Sequence, residues 1–274
     1  MQYQYHVNFS NAQWRSCRSV TLRDGVLTCS LEEQTYDLTQ AYENDLHIRL
    51  ANAKTDDDLI AFVRGWGPLY LTDEEKRSGV AYLPLSRVRV TQRWLRALLD
   101  LLNAFKRAEG EKAALEEFIG AECEYERNSP FPQVPPEPIA LSSLRQRFGI
   151  SGNVLEWVKG RNIKAVRAAT DFLVPFAQVG PGFAHFTLRR QQHRRVEANW
   201  MAPLSLEDSL RWMIWYDEYT EHPLVCCPEC RDVFRSETAH ARKYCSYKCG
   251  HREAARNWQR KKRKAEQHVT RKTR

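Results

Sequence analysis

The segment CCPECRDVFRSETAHARKYCSYKCGHREAARNWQRKKRK, residues 226–264, holds five of the chain's eight cysteines within 24 positions and runs directly into a basic stretch. Cys227-Pro-Glu-Cys230 offers two thiolates from one tight turn, and Cys245 with Cys249, four apart, offers two more from one face of a helix's first turn. Four soft sulfur ligands suit a closed tetrahedral zinc site with no position left for water. The fourteen residues between the pairs suffice for a hairpin that returns the chain. The expected module is treble-clef-like, with Cys227, Cys230, Cys245 and Cys249 holding one structural zinc. Cys226 is a rival to Cys227, but the two-residue gap before Cys230 makes the usual knuckle. His240 and His251 are the remaining rivals, and each is expected to face solvent or a phosphate backbone. Arg242, Lys243 and Lys248 are placed to offset the negative charge of a four-thiolate centre.

Charge extends the reading to function. From Arg252 to Arg274 ten Lys or Arg stand against two acids, a net of +8 that equals the charge of the whole chain. Positions 1–230 hold 27 basic and 30 acidic residues, a net of −3. If the helix begun at Cys245 continues, Arg252, Arg256, Arg260 and Lys264 recur every four residues, while Ala254, Ala255 and Trp258 form another face able to pack on the hairpin. Cations on a rigid helix neutralise phosphates, and the amides of Asn257 and Gln259 are of the type that reads adenine edges in a major groove. The expected nucleic-acid contacts are Arg252, Arg256, Asn257, Gln259, Arg260, Lys261, Arg263 and Lys264, with double-stranded DNA as the expected partner. The competing reading is a zinc module for protein contact that carries a solvated basic tail.

The same string resembles the CGNR zinc finger of bacterial proteins. Cys249-Gly250-His251-Arg252 stands where that family has Cys-Gly-Asn-Arg, with His251 in place of Asn. In the family the finger follows an ABATE-like N-terminal domain of stress-induced transcription regulators, and LANAKTDDDLIAFVRGWGPL, residues 50–69, is loosely similar to a segment of it. The resemblance implies DNA binding and transcriptional control. An enzyme is not expected. His251-Arg-Glu253 carries the His-x-Glu of zinc deaminases, but there it precedes the cysteine pair, a proline precedes the first cysteine, and three ligands leave one position for water. The acid and His pair of a metal nuclease beside Cys245 is also missing from the sequence.

The body before residue 223 reads as mixed α+β. QYQYHVNF, residues 2–9, alternates like a strand with one buried face, and Asp24-Gly25 between two strand-like runs marks a hairpin turn. Thr55 and Asp58 are spaced as a capping box before a helix stopped by Gly67-Pro68, and longer helices are expected over 90–108 and 111–126. Residues 128–138 hold five prolines and form an extended connector. The expected organisation is an N-terminal lobe over 1–127, a second lobe over 139–222, the finger over 223–264 and a basic tail over 265–274. Within the second lobe, residues 143–160 have a helix-turn-helix rhythm. Arg145 occupies the position that normally needs a small residue, so two ordinary packed helices are expected. Residues 183–200 read as a hairpin tipped by Arg189, Arg190, His193, Arg194 and Arg195. The helix 205–219 is apolar on so many sides that it should be buried between the body and the cysteine module. Cys17, Cys29 and Cys123 read as core thiols. Without a secretory signal or an apolar stretch of about 18 residues, the chain is expected to be soluble and cytoplasmic. No small-molecule motif identifies a ligand for the body, and no feature sets an oligomeric state.

Overall fold

The computed structural model describes residues 13–107, 109–128, 139–178, 205–219, 224–236 and 242–272. The strand expected over 2–9, the connector residues 129–138 and the arginine-tipped hairpin over 183–200 lie outside them. The chain divides into two compact units, Met1–Thr220 and Glu221–Arg274, and the fold is mixed α+β.

The first unit opens on a meander. Strands β1 (Gln13–Arg23) and β2 (Val26–Asp37) pair antiparallel, and β2 pairs with β3 (Val80–Pro84) to complete a sheet of order β1-β2-β3. Asp24 and Gly25 both have positive φ, 50° and 78°, the two-residue turn that matches the twist of the strands it joins. Leu27, Cys29, Leu31, Ala81 and Leu83 are buried on one face of the sheet. Between β2 and β3 run α1 (Leu38–Glu43), α2 (Leu46–Asn52), α3 (Asp56–Trp66) and α4 (Asp73–Ser78). The box at the start of α3 closes in both directions, Thr55 accepting from the Asp58 amide and Asp58 from the Thr55 amide. Gly67 ends it at φ 88°, where a Cβ would come within 1.9 Å of the Arg15 carbonyl oxygen. Only glycine fits there.

Helix α5 (Leu85–Arg107) is the spine of the unit. Its stripe Trp94, Leu95, Leu98, Leu99 and Leu102 is buried, and Phe105 is half-buried. It packs on α6 (Glu111–Arg127), and α7 (Ile139–Phe148), α8 (Val154–Lys159) and α9 (Ile163–Gln178) follow. Helix α8 rests on α6 and α7 rests on α9, so the two helices with the helix-turn-helix rhythm serve different neighbours. Gly149, at φ 61°, ends α7 with the Ile150 amide donating back to Arg145, a Schellman stop with a buried apolar residue after it. The two lobes expected on either side of 128–138 share one core, because α6 packs on both α8 and α9.

Helix α10 (Leu206–Tyr219) buries Leu206, Leu210, Trp212, Met213 and Ile214 within this unit, where it packs on α2 and α9. Three of its charged residues, Glu207, Arg211 and Asp217, are buried too. Glu207 accepts two bonds from Arg87 on α5 at 2.9 Å and one from Thr91 at 2.5 Å. The Arg211 guanidinium lies over the rings of Trp94, at 4.2 Å, and Tyr125, at 4.5 Å. Asp217 takes His47 at 2.6 Å and the Tyr42 hydroxyl at 2.5 Å. Cys17 and Cys29 are buried and Cys123 is half-buried. No helix among the described residues is long and apolar enough to cross a membrane.

Candidate metal centre and the helix it starts

The second unit holds strands β4 (Leu224–Cys226) and β5 (Val233–Arg235), paired antiparallel, and helix α11 (Tyr247–Lys272). The sheet straddles the first cysteine pair, with the knuckle at the tip of the β4–β5 hairpin. The hairpin expected between the two pairs is therefore, among the described residues, a hairpin around the first pair. The Cys227 amide donates to the Asp232 carbonyl at 2.8 Å and the Arg231 amide donates to the Cys227 carbonyl at 2.9 Å, which closes the turn. Arg231 adopts φ 67° to do so.

Four sulfurs converge. The Sγ atoms of Cys227, Cys230, Cys245 and Cys249 all lie within 4.8 Å of one another, with 3.3 Å between Cys230 and Cys245 and 3.6 Å between Cys245 and Cys249. A tetrahedral ion with Zn–S bonds of about 2.3 Å needs sulfurs about 3.8 Å apart, whereas a disulfide needs about 2.05 Å. The spacing fits a shared ion and not a bond. Cys227, rather than Cys226, joins this group: Cys226 is the last residue of β4, opposite Val233, and successive strand residues point to opposite sides. His251 lies outside the group, exposed, its ring 4.1 Å from that of Tyr247. His240 is not among the described residues.

Cys245 precedes the helix instead of sitting in its first turn. Ser246 lies between them, its Oγ accepting from the Cys249 amide at 3.3 Å and its carbonyl from Gly250 at 3.2 Å, an N-cap that sets α11 going. Arg242 braces this corner by donating to the carbonyls of Tyr244 and Cys245 at 2.9 and 2.5 Å.

The thiols divide electrostatically. Burial opposes ionisation of Cys227, but the amides and thiols of Cys230 and Cys245 outweigh it and draw its pKa down. At Cys249 the Ser246 hydroxyl is the main cause of a lowered pKa, helped against burial by Cys245, Cys230 and Arg252. Cys230 and Cys245 are pushed up, burial being the main cause. Four thiolates this close repel, so ionisation of the whole set calls for a cation among them.

The charge that offsets the centre comes from Arg252, which sequence spacing did not single out for this, and from Arg242, held beside Cys245 by its bond to that residue's carbonyl. Arg252 donates to Cys249 Sγ at 3.4 Å, whereas Lys243 lies over the Tyr244 ring and Lys248 is exposed. Glu229, inside the knuckle and with a side chain only 9 % exposed, pairs with both Arg252 and Arg256. Farther along, Glu253 pairs with Arg256 at 3.6 Å and Arg260 at 3.4 Å and accepts from Asn257 at 3.2 Å. Four of the eight residues expected to meet nucleic acid thus also bind this unit's own acids. Their side chains remain partly open, 61, 52 and 64 % for Arg252, Arg256 and Arg260. Gln259, Lys261 and Arg263 are exposed, and neither cation has an acidic partner among the described residues. The side chain of Lys264 lies outside them, as do those of the tail 265–274, although the helical backbone continues to Lys272.

Glu229 is the residue that the sequence reading missed. Its signal was an acid held between two ligands, facing arginines spaced four apart on the following helix. Ala254, Ala255 and Trp258 also depart from expectation: the face expected to pack on the hairpin is exposed. Comparison with protein-family models, curated proteins and solved structures finds no match to this chain.

Proposed function

We infer that residues 221–274 form a structural zinc finger that presents α11 to nucleic acid, and that the chain acts through it as a DNA-binding regulator of transcription. The observation that carries this reading is the concentration of charge. The second unit holds fifteen basic and six acidic residues, a net of +9, while the first holds 27 and 28, a net of −1. Zinc is the metal of choice for four sulfurs with no open position, and its work there is structural. In this reading Arg252 and Arg256 first fasten α11 to the knuckle through Glu229. Arg260, Lys261, Arg263 and Lys264 neutralise phosphates, and one of the two amides Asn257 and Gln259, which stand about 200° apart around α11, faces base edges. The CGNR resemblance points the same way.

Zinc content and a salt titration test the reading together. Protein purified without chelator should carry one zinc per chain. With about five phosphates neutralised, the logarithm of duplex-DNA affinity should fall against the logarithm of salt with a slope of about −4 to −5. Replacing Lys261 and Arg263 together by Ala should flatten that slope by about two units with zinc retained. Zinc-free protein, or affinity indifferent to salt, would sink the reading and favour a module for apolar protein contact.

A further inference from the structure

We propose that the outward face of α11, built from Tyr247, His251 and Trp258, stacks unpaired nucleobases, so that the finger binds single-stranded or locally melted nucleic acid more tightly than its charge alone provides. This inference rests on the nucleic-acid reading above and names the form of nucleic acid that the site takes.

The starting observation is an exposure without a packing reason. Among the described residues five large apolar side chains are exposed, and Leu22, Tyr82 and Ile163 belong to the first unit. The other two, Tyr247 at 79 % and Trp258 at 63 %, share one helix. They stand eleven residues apart, which is about three turns, about 16 Å along the axis and about 20° around it. Ala254 falls between them on the same line, and Ala254 and Ala255 are exposed and too small to obstruct a flat ligand. The metal side of the helix, marked by Cys249, lies about 160° away around the axis. The finger therefore uses one side of α11 for its own structure and leaves the aromatic side open.

Charge decides what covers that side. Lys262 lies over the Trp258 ring at 5.5 Å, and exposed Lys248 and Lys261 border the face. The acid of this stretch, Glu253, is drawn toward Arg256 and Arg260. A second copy of the chain would bring another +8 against the first, and repulsion disfavours it. An acidic polypeptide would answer the lysines but offers no flat ring to Tyr247 and Trp258. In a duplex the bases stack on each other and show only their edges. Unpaired bases supply both demands, a phosphate for each lysine and a π-face for each ring, the combination found wherever single strands are bound without sequence preference. His251, 4.1 Å from the Tyr247 ring, steadies one platform, as Lys262 does the other.

The test uses full-length, zinc-loaded protein and three labelled probes: an oligothymidylate of about 12 nucleotides, a duplex of the same length, and polyglutamate. Trp258→Ala and Tyr247→Ala should each weaken oligothymidylate binding about fivefold or more, while duplex affinity at the same salt changes by less than about twofold. Trp258→Phe, which keeps a ring, should recover most of the loss, and unchanged zinc content shows that the finger is intact. Equal losses on both nucleic acids, or no loss on the single strand, overturn the stacking face. If Lys261→Ala and Arg263→Ala still weaken both probes in that event, the nucleic-acid reading survives without it. Absence of binding to either nucleic acid removes both. A larger Trp258→Ala effect on polyglutamate than on oligothymidylate overturns the proposal in favour of an acidic polypeptide.

Discussion

Arg231 follows the second knuckle cysteine at φ 67°, a conformation in which its Cβ crowds the neighbouring carbonyl. The turn needs that angle, because it brings the Arg231 amide onto the Cys227 carbonyl while β5 restarts two residues later. Glycine adopts it freely. Arg231→Gly should therefore stabilise the second unit by about 1 kcal/mol, visible as greater resistance to a competing chelator and a higher melting transition of that unit. No gain, or a loss, would mean that the arginine side chain contributes more than its backbone strain costs. The two-residue gap before Cys230 favours Cys227 in the sequence, and the rival Cys226 is set aside only by β4, whose alternation turns it away. The pairing of Glu229 with Arg252 and Arg256 was not legible beforehand. It depends on how the helix crosses the knuckle, which sequence spacing within either element leaves open.

Elements with strong local signals were readable, and those defined by partners were not. Helix α3 carries its own start and stop in Thr55, Asp58 and Gly67. Strand β3, five residues between the capped turn of α4 and the spine α5, has too few alternations to stand out, and only pairing with β2 makes it a strand. Helix α10 shows the same limit from the other side: its apolar residues announced burial, but its buried charges have partners 120 and 170 residues away. Glu207→Ala would leave the Arg87 guanidinium, 3 % exposed, without its carboxylate, and should cost the first unit about 3–5 kcal/mol in urea denaturation. Replacing both residues with apolar side chains of similar size should cost far less, and equal costs would show that the pair does not act as one. The box on α3 sets a pH dependence. Amide donation from Lys54, then from Thr55, holds the Asp58 carboxyl below its ordinary range. A depressed folded value means the stabilisation is complete above the unfolded value of about 3.9 and is lost as pH falls through the folded one. The urea midpoint of Asp58→Asn should accordingly fall less steeply than wild type below about pH 4, and parallel curves would refute the assignment.

At the scale of the whole molecule the two units differ in what holds them. The first has a core spread over three strands and ten helices among the described residues, built on buried leucines and the ion pairs of α10. The second has two three-residue strands and one helix whose residues 254–263 are all exposed. Strands that short are marginal alone, and an isolated helix gains little from hydrogen bonds that water can replace. Five consecutive cations at 260–264 add repulsion to that balance. Besides the pairs of Glu229 with Arg252 and Arg256 and the Arg242 brace, the four-sulfur centre is the main tie among knuckle, corner and helix, and an ion held there would make metal binding and folding of the second unit one event. Treatment with a strong chelator should then unfold residues 221–274 and leave 1–220 folded. Limited proteolysis should yield a stable fragment ending near residue 220, far-UV circular dichroism should lose the α11 contribution, and urea unfolding of the remaining body should keep its midpoint. Cys245→Ala should reproduce all three results without chelator. If the amides of α11 stay protected from hydrogen exchange in the chelated protein, the helix has another support and the metal only decorates it; if the body's midpoint falls in step, the two units share stability that their separate cores do not reveal.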